Sequence, residues 1–285
     1  MIKIYHNYSI SKKSYIHVGG RVKTYCECDD LYESINYLKN KDFISIGNTS
    51  KILFNFSYCP KLFFCFTNKK IVFFKDAFFA YSGISLYELY FKLKNKNITG
   101  FSLLATIPGF LGGSIVNNSS FKEQCISDLL IKILVFQDNK LIFLSKEELN
   151  LSYRNSSLKK DNLLIVGGYF KIIKGSKENI KKEFLLANKY RLEKQKFTFN
   201  SLGSTFKNTE KYQIGKILDN LSLKGYIFSK SVKVSPLHAN FILIKPYSSS
   251  KDVNNLIKFL EKVLYNYLGE KISKEIQIIN KDGRE

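Results

Sequence analysis

Five short stretches of the chain carry groups that could do chemistry. Arg154 stands in SYRNSS beside Tyr153, in a chain that otherwise places arginine only at Arg21, Arg191 and Arg284. A planar guanidinium with five donors suits a carboxylate, a phosphate or a developing oxyanion, although a surface or salt-bridging arginine would read the same way. Two glycine-bearing loops, Gly47-Asn48-Thr49-Ser50 and Pro108-Gly109-Phe110-Leu111-Gly112-Gly113-Ser114, could cradle a pyrophosphate through successive backbone N–H groups. Each could equally be a tight turn between strands. His238, in VSPLHANF, is either a site residue or a hydrogen-bonded histidine at a strand entrance. The stretch LGSTFKN, residues 202–208, sets Gly203 and Ser204 just ahead of Phe206, Lys207 and Asn208. Taken alone it is a polar turn running into a strand.

Other chemistries find little support. No GxGxxG, Walker loop, HExxH or GxSxG motif is present, and His6, His17 and His238 are scattered. Five cysteines (Cys26, Cys28, Cys59, Cys65, Cys125) lack histidine at ligand spacing, so free thiols and no metal are expected. The net charge of +21 points first to nucleic acid or an acidic membrane. However, the charge is almost all lysine and spread along the chain, and lysine is a weaker reader of bases and phosphates than arginine. No dedicated nucleic-acid role is therefore expected. No apolar run approaches the roughly 18 residues of a spanning helix, and MIKIYHNYSISKK has no signal core, so the expectation is a cytoplasmic protein without membrane insertion.

The elements that must position these groups are legible in outline. Residues 42–54 read as a strand, a turn at 47–50 and a second apolar run. Ser85 with Glu88 predicts a capping box for a helix to about Lys94. Residues 131–144 alternate around Asp138-Asn139 as a β-hairpin, and 161–173 form another strand candidate. A charged helix runs from Ser176 toward Lys196, followed by a helix around 211–221 and a strand at 240–245. The clearest helix spans about 251–268, with Val253, Leu256, Ile257, Leu260, Val263, Leu264 and Tyr267 on one face and Gly269 as its stop. The whole is an α+β chain of two parts.

Read in order, VGG at 18–20, IGNTSKIL, ITGFSLLATIPGFLGGSIVNN, SYRNS, YRLEKQ, SLGSTFKN, GKILDNLSLKGY, VSPLHANFIL and LGEKISKEIQII resemble the UDP-N-acetylenolpyruvoylglucosamine reductase (MurB) family over nearly the whole length. The resemblance implies a FAD-binding domain of the p-cresol methylhydroxylase type at 1–174 and a C-terminal α/β substrate domain at 175–285. It implies bound FAD, NADPH as hydride donor, a UDP-sugar substrate and a place in peptidoglycan precursor synthesis, hence in cell-wall biogenesis, cell shape and division. In the family, the serine matching Ser204 donates the proton at C2 of the enolpyruvyl group. The residue matching Arg154 polarises its carboxylate, and the one matching Glu275 assists at the same centre. From the residues alone, Glu275 would be a solvated strand-end charge. Gly47, Asn48, Thr49, Ser50, Pro108, Gly109, Gly112, Gly113, Ser114 and Asn118 match the cofactor-contacting segments, and Tyr153, Lys207, Asn208 and His238 fall on the substrate side. The chain departs from the family pattern at Asn48 and Thr49, at Lys51 where asparagine is usual, and at Thr106, Ser119, Thr209 and Ile244. A monomer is expected. The rival readings are another flavin oxidoreductase on the same fold, and a basic non-catalytic nucleic-acid-binding protein that has lost FAD.

Overall fold

The computed structural model describes residues 1–195 and 200–284. The chain divides into two compact units: Met1–His6, Thr24–Asn48 and Lys61–Arg191 form the first, and Asn7–Lys23, Thr49–Pro60 and Leu192–Glu285 the second. The expected division after residue 174 follows the chain, whereas these units do not. The reason lies in strand pairing and burial. Strand Ile52–Phe54 pairs in parallel with Gln277–Asn280 (Ile52 opposite Gln277, Phe54 opposite Ile279), and Ile16, Val18 and Leu53 pack into the core of the C-terminal segment. Apolar side chains gather where burial is available, whatever their place in the sequence.

In the first unit, a five-stranded antiparallel sheet has the order Lys140–Ser145, Leu130–Gln137, Leu163–Lys171, Ala77–Tyr81, Ile71–Phe73. Its first two strands form the hairpin predicted by Asp138-Asn139. Gln137 pairs with Lys140, and both turn residues have positive φ, +50° and +60°, as a two-residue turn matched to strand twist requires. Helix Leu86–Lys94 begins at the predicted capping box: Ser85 Oγ accepts the Glu88 N–H and the Glu88 carboxylate accepts the Ser85 N–H. Leu86, Leu89, Tyr90 and Leu93 are buried, and the three leucines join Phe78, Ile133 and Phe170 in the unit's main core. The charged helix occupies Lys177–Gln195, and its expected end at Lys196 lies outside the described residues.

The second unit is built around helix Ser250–Leu268, whose Val253, Leu256, Ile257, Leu260 and Leu264 are buried against Leu53, Ile244 and Ile278. Tyr267, expected on that face, is 59% exposed, because in the last turn it is Leu268 that packs against the core. Gly269 ends the helix at φ +75°. Helix Ile214–Asn220 and the two-stranded pair Val232–Val234 with Ile242–Ile244 complete the unit's packing.

None of the five cysteines is in a disulfide. Among the described residues no cluster of His, Cys, Asp and Glu could hold a metal ion, and no helix is long and apolar enough to cross a membrane.

Candidate active site

Ser204 lies in a segment that threads between two others. Leu202 and Phe206 are buried and anchor it in the second unit's core. Along one edge, the Thr205 N–H donates to the Asn240 carbonyl at 2.8 Å and Ser204 forms a bridge with Phe241. Along the other, the Glu275 N–H donates to the Thr205 carbonyl and the Lys207 N–H to the Ser273 carbonyl, at 2.8 and 2.9 Å. The Asn240 side chain then takes both backbone groups of Phe206, Oδ1 accepting its N–H at 3.0 Å and Nδ2 donating to its carbonyl at 2.9 Å. With so many backbone groups fixed, Ser204 and Lys207 stay half-buried at defined places.

Glu275 is 7% exposed. Burying a carboxylate is costly unless it is paired, and here the Lys51 ammonium lies 2.8 Å from Oε1. The same ammonium donates to the Ser204 carbonyl at 3.1 Å. The Lys207 ammonium is held below its ordinary pKa by burial, against the opposing pull of Glu275. Ser204, Lys207 and Glu275, distant in the sequence, are thus brought together in one unit.

Arg154 belongs to the first unit and sits in a tight turn, in which Ser152 and Asn155 exchange both backbone hydrogen bonds at 3.1 Å. Two side chains fasten this turn: Ser156 Oγ donates to the Val116 carbonyl at 2.6 Å, and Asn118 Nδ2 to the Ser152 carbonyl at 3.0 Å. Arg154 has φ +54°, and its guanidinium donates from Nη1 to Ser120 Oγ at 2.7 Å and from Nη2 to the Ser120 carbonyl at 2.8 Å. Tyr153, 52% exposed, lies against the guanidinium with 5.3 Å between ring centre and Cζ.

Within the first unit, Gly47 stands beside the second loop, since a Cβ on it would lie 3.7 Å from Phe110. A Cβ on exposed Gly113 would meet nothing within 4 Å, so the backbone there is open to an approaching group. Gly112 serves packing: its Cβ would stand 2.9 Å from Ser82. Ser114 Oγ donates to the Phe110 carbonyl, the Gly109 carbonyl accepts the Leu86 N–H, and Pro108 is exposed. In the other loop the positive φ, +56°, falls on Thr49. This β-branched residue is held there by its own hydroxyl, which accepts the Tyr15 N–H at 2.8 Å and donates to the Lys13 carbonyl at 3.1 Å. Thr49 therefore shapes the loop with its side chain turned inward, while Asn48 and Ser50 are half-buried. Asn118, at φ +42°, likewise spends its side chain inside the protein, with Oδ1 3.0 Å from the Cys125 thiol. Gly47 beside Phe110, with open backbone at Gly113 in the same loop as Phe110, suits the backbone-dominated grip that a FAD pyrophosphate takes.

Asn208 Oδ1 accepts the Ile214 N–H at the start of helix Ile214–Asn220. His238 packs on Phe241, with ring centres 4.6 Å apart, and its Nδ1 accepts the Asn240 N–H at 3.2 Å. Burial holds its pKa below the ordinary 6.5, Lys224 acts in the same direction and Asp219 against it. Two residues that organise this site, Asn240 and Lys51, were not singled out as site residues. Asn240 had a signal, an asparagine beside a buried strand in HANF. Lys51 had only its departure from the family pattern.

The comparisons with known proteins bear on the whole chain. The family model for the C-terminal domain of UDP-N-acetylenolpyruvoylglucosamine reductase matches residues 195–279. The UDP-N-acetylenolpyruvoylglucosamine reductase of Fusobacterium nucleatum is 31% identical over 286 residues, covering 98% of this chain and 100% of that protein. The reductase of the same name from Caldanaerobacter subterraneus is 29% identical over 284 residues, covering 97% and 94%. The crystal structure of UDP-N-acetylenolpyruvylglucosamine reductase (MurB) from Thermus caldophilus superposes with a TM-score of 0.82 over 98% of each chain at 21% identity. That likeness establishes the fold, an α+β chain with a FAD-binding domain of the p-cresol methylhydroxylase type and a C-terminal domain. With a relative 31% identical along its entire length, the chain belongs to the UDP-N-acetylenolpyruvoylglucosamine reductase family.

Proposed function

We propose that this chain is an NADPH-dependent flavoprotein reductase that converts UDP-N-acetylenolpyruvoylglucosamine to UDP-N-acetylmuramate in peptidoglycan precursor synthesis, with Ser204, Arg154 and Glu275 at the reacting centre. The observation that carries this reading is the joining of Glu275 to the Ser204 segment, through the Glu275 N–H on the Thr205 carbonyl and one ammonium shared by Glu275 and Ser204. Bound FAD would supply the hydride relay from NADPH to C3 of the enolpyruvyl group. The residues that would hold it are those of the two loops, Gly47 to Ser50 and Pro108 to Ser114, with Asn118 shaping the second.

The chain's own residues supply the remaining chemistry. Hydride arriving at C3 leaves a carbanion at C2, delocalised into the adjacent carboxylate as an enolate, and Ser204 Oγ gives its proton to C2. A serine hydroxyl is a weak acid in water, so position and charge must compensate. Fixing the backbone on both sides of the segment provides the position. The Arg154 guanidinium polarises the substrate carboxylate through its planar fork, two of whose five N–H groups rest on Ser120. Glu275 assists at the centre that Ser204 serves. Tyr153, Lys207, Asn208 and His238 line the substrate side. The enzyme acts as a cytoplasmic monomer on a nucleotide-linked sugar, and through this product supports cell-wall biogenesis, cell shape and division.

The test is the visible spectrum of the purified protein, taken through anaerobic NADPH and then the enolpyruvyl UDP-sugar. Bound flavin that bleaches with NADPH and recovers on adding the sugar is the expected result. Flavin that bleaches without recovering points to another acceptor, and a protein that is colourless and cannot be reconstituted with FAD overturns the reading.

A further inference from the structure

Lys51 joins three segments of the second unit at one point. Its carbonyl accepts the Gln277 N–H at 2.8 Å, which begins the parallel pairing of Ile52–Phe54 with Gln277–Asn280. Its ammonium reaches Glu275 Oε1, two residues before the same C-terminal strand, at 2.8 Å, and the Ser204 carbonyl at 3.1 Å. A Cβ on residue 203 would lie 2.9 Å from this ammonium, so Gly203, at φ +74°, leaves the ammonium its place. One side chain therefore links the backbone of the proposed proton donor to the proposed carboxylate partner. Lys207 also acts on Glu275, although burial disfavours its ammonium. Lys51, at 2.8 Å, is in direct ionic contact with the carboxylate.

We propose that Lys51 is a positioning residue for the protonation step. It acts through Glu275 and the Ser204 backbone, and this rests on the reading of Ser204 and Glu275 given above. A lysine serves here because its flexible stem delivers a compact charge with three donors, so one donor reaches the carboxylate while another reaches the carbonyl. Asparagine at this position would be too short to bridge both and would carry no charge.

The inference is tested by Lys51→Met and Lys51→Arg, with each half-reaction followed by stopped-flow absorbance, and by a double-mutant cycle with Glu275→Gln. In Lys51→Met, flavin reduction by NADPH should stay within about twofold, while reoxidation by the enolpyruvyl UDP-sugar slows by about tenfold to a hundredfold, the size expected of misplaced reacting groups. Lys51→Arg should recover part of that loss. Lys51→Met added to Glu275→Gln should slow reoxidation less than it does in the wild type, because the two act as one unit. A second readout needs no turnover: in the flavin-free protein, the denaturation midpoints of the two single variants and the double should be non-additive. Wild-type reoxidation in Lys51→Met, equal loss in both half-reactions, or full additivity with Glu275→Gln would each overturn the proposal. If the wild-type flavin bleaches but the sugar never reoxidises it, the functional reading falls first and this inference with it.

Discussion

The Arg154 turn and the Ser204 segment both present a proposed reacting group, but they are held in opposite ways. Arg154 is fixed by partners from one neighbouring stretch, Val116, Asn118 and Ser120, about one hairpin away in sequence. Ser204 and its flanks are fixed by Asn240, by Ser273 and Glu275, and by Lys51, 153 residues away. A locally closed turn keeps its shape if the rest of its unit loosens. A segment threaded between distant strands exists only when the whole second unit is folded, because each of its edges is another part of the chain. Substitutions in the Arg154 turn should therefore act on rate alone, whereas those around Ser204 should act on rate and stability together.

The largest effect tests the Ser204 side. Ser204→Ala should slow flavin reoxidation by the enolpyruvyl UDP-sugar by about 10²–10⁴-fold, the range of a lost general acid, with NADPH reduction nearly unchanged. Equal loss of both half-reactions, followed by stopped-flow, would refute the role.

Arg154→Lys comes next. A point charge cannot reproduce the fork that holds Ser120 and is proposed to take the substrate carboxylate, so reoxidation should fall by about 10²-fold or more, while the unfolding midpoint barely moves. Turnover at the wild-type rate would remove Arg154 from the mechanism. A large drop in thermal stability would break the contrast between the two regions.

Gly203→Ala should show that contrast from the other side. At φ +74° an alanine is strained by about 1–2 kcal/mol, and its Cβ would press on the Lys51 ammonium 2.9 Å away. Calorimetry should record a lower midpoint, accompanied by slowed reoxidation. A midpoint equal to wild type would mean that the segment yields more readily than its hydrogen bonding indicates.

The smallest effect concerns pH. Burial holds His238 below its ordinary pKa of 6.5, so the unfolded chain takes up a proton at a higher pH than the folded one. The contribution is a loss of stability as pH falls below about 6.5, levelling off once the folded-state pKa is passed. His238→Gln should flatten that limb of a stability-against-pH curve measured by urea unfolding. An unchanged limb would assign the acid sensitivity to other groups.

Much of this molecule was legible before folding, and for a common reason. The capping box at Ser85 and Glu88, the hairpin turn at Asp138-Asn139 and the stop at Gly269 are decided within a few residues, by backbone preference and short-range hydrogen bonds. The apolar face of Ser250–Leu268 follows from helical period alone, except at Tyr267, where the packing of Leu268 decides which side chain the core takes. The motif order carried the family. Composition was less informative: a charge of +21 spread along the chain does not single out Lys51, the lysine paired with buried Glu275.

Only tertiary structure decided who neighbours whom. Glu275 read from the residues alone is a solvated strand-end charge; in the fold it is 7% exposed and paired with Lys51. Thr49 reads only as a departure from the family's loop until Tyr15 and Lys13 are seen to hold its hydroxyl. Lys51 reads as a departure from a pattern, and no spacing rule connects residues 51, 204 and 275. The sequence by itself determined the elements, the family and the identity of the proposed reacting groups, because these rest on local preference and motif. The tertiary structure decided which buried charge is paired, by what, and at what distance, because pairing across 153 and 224 residues is set by how distant strands register against one another.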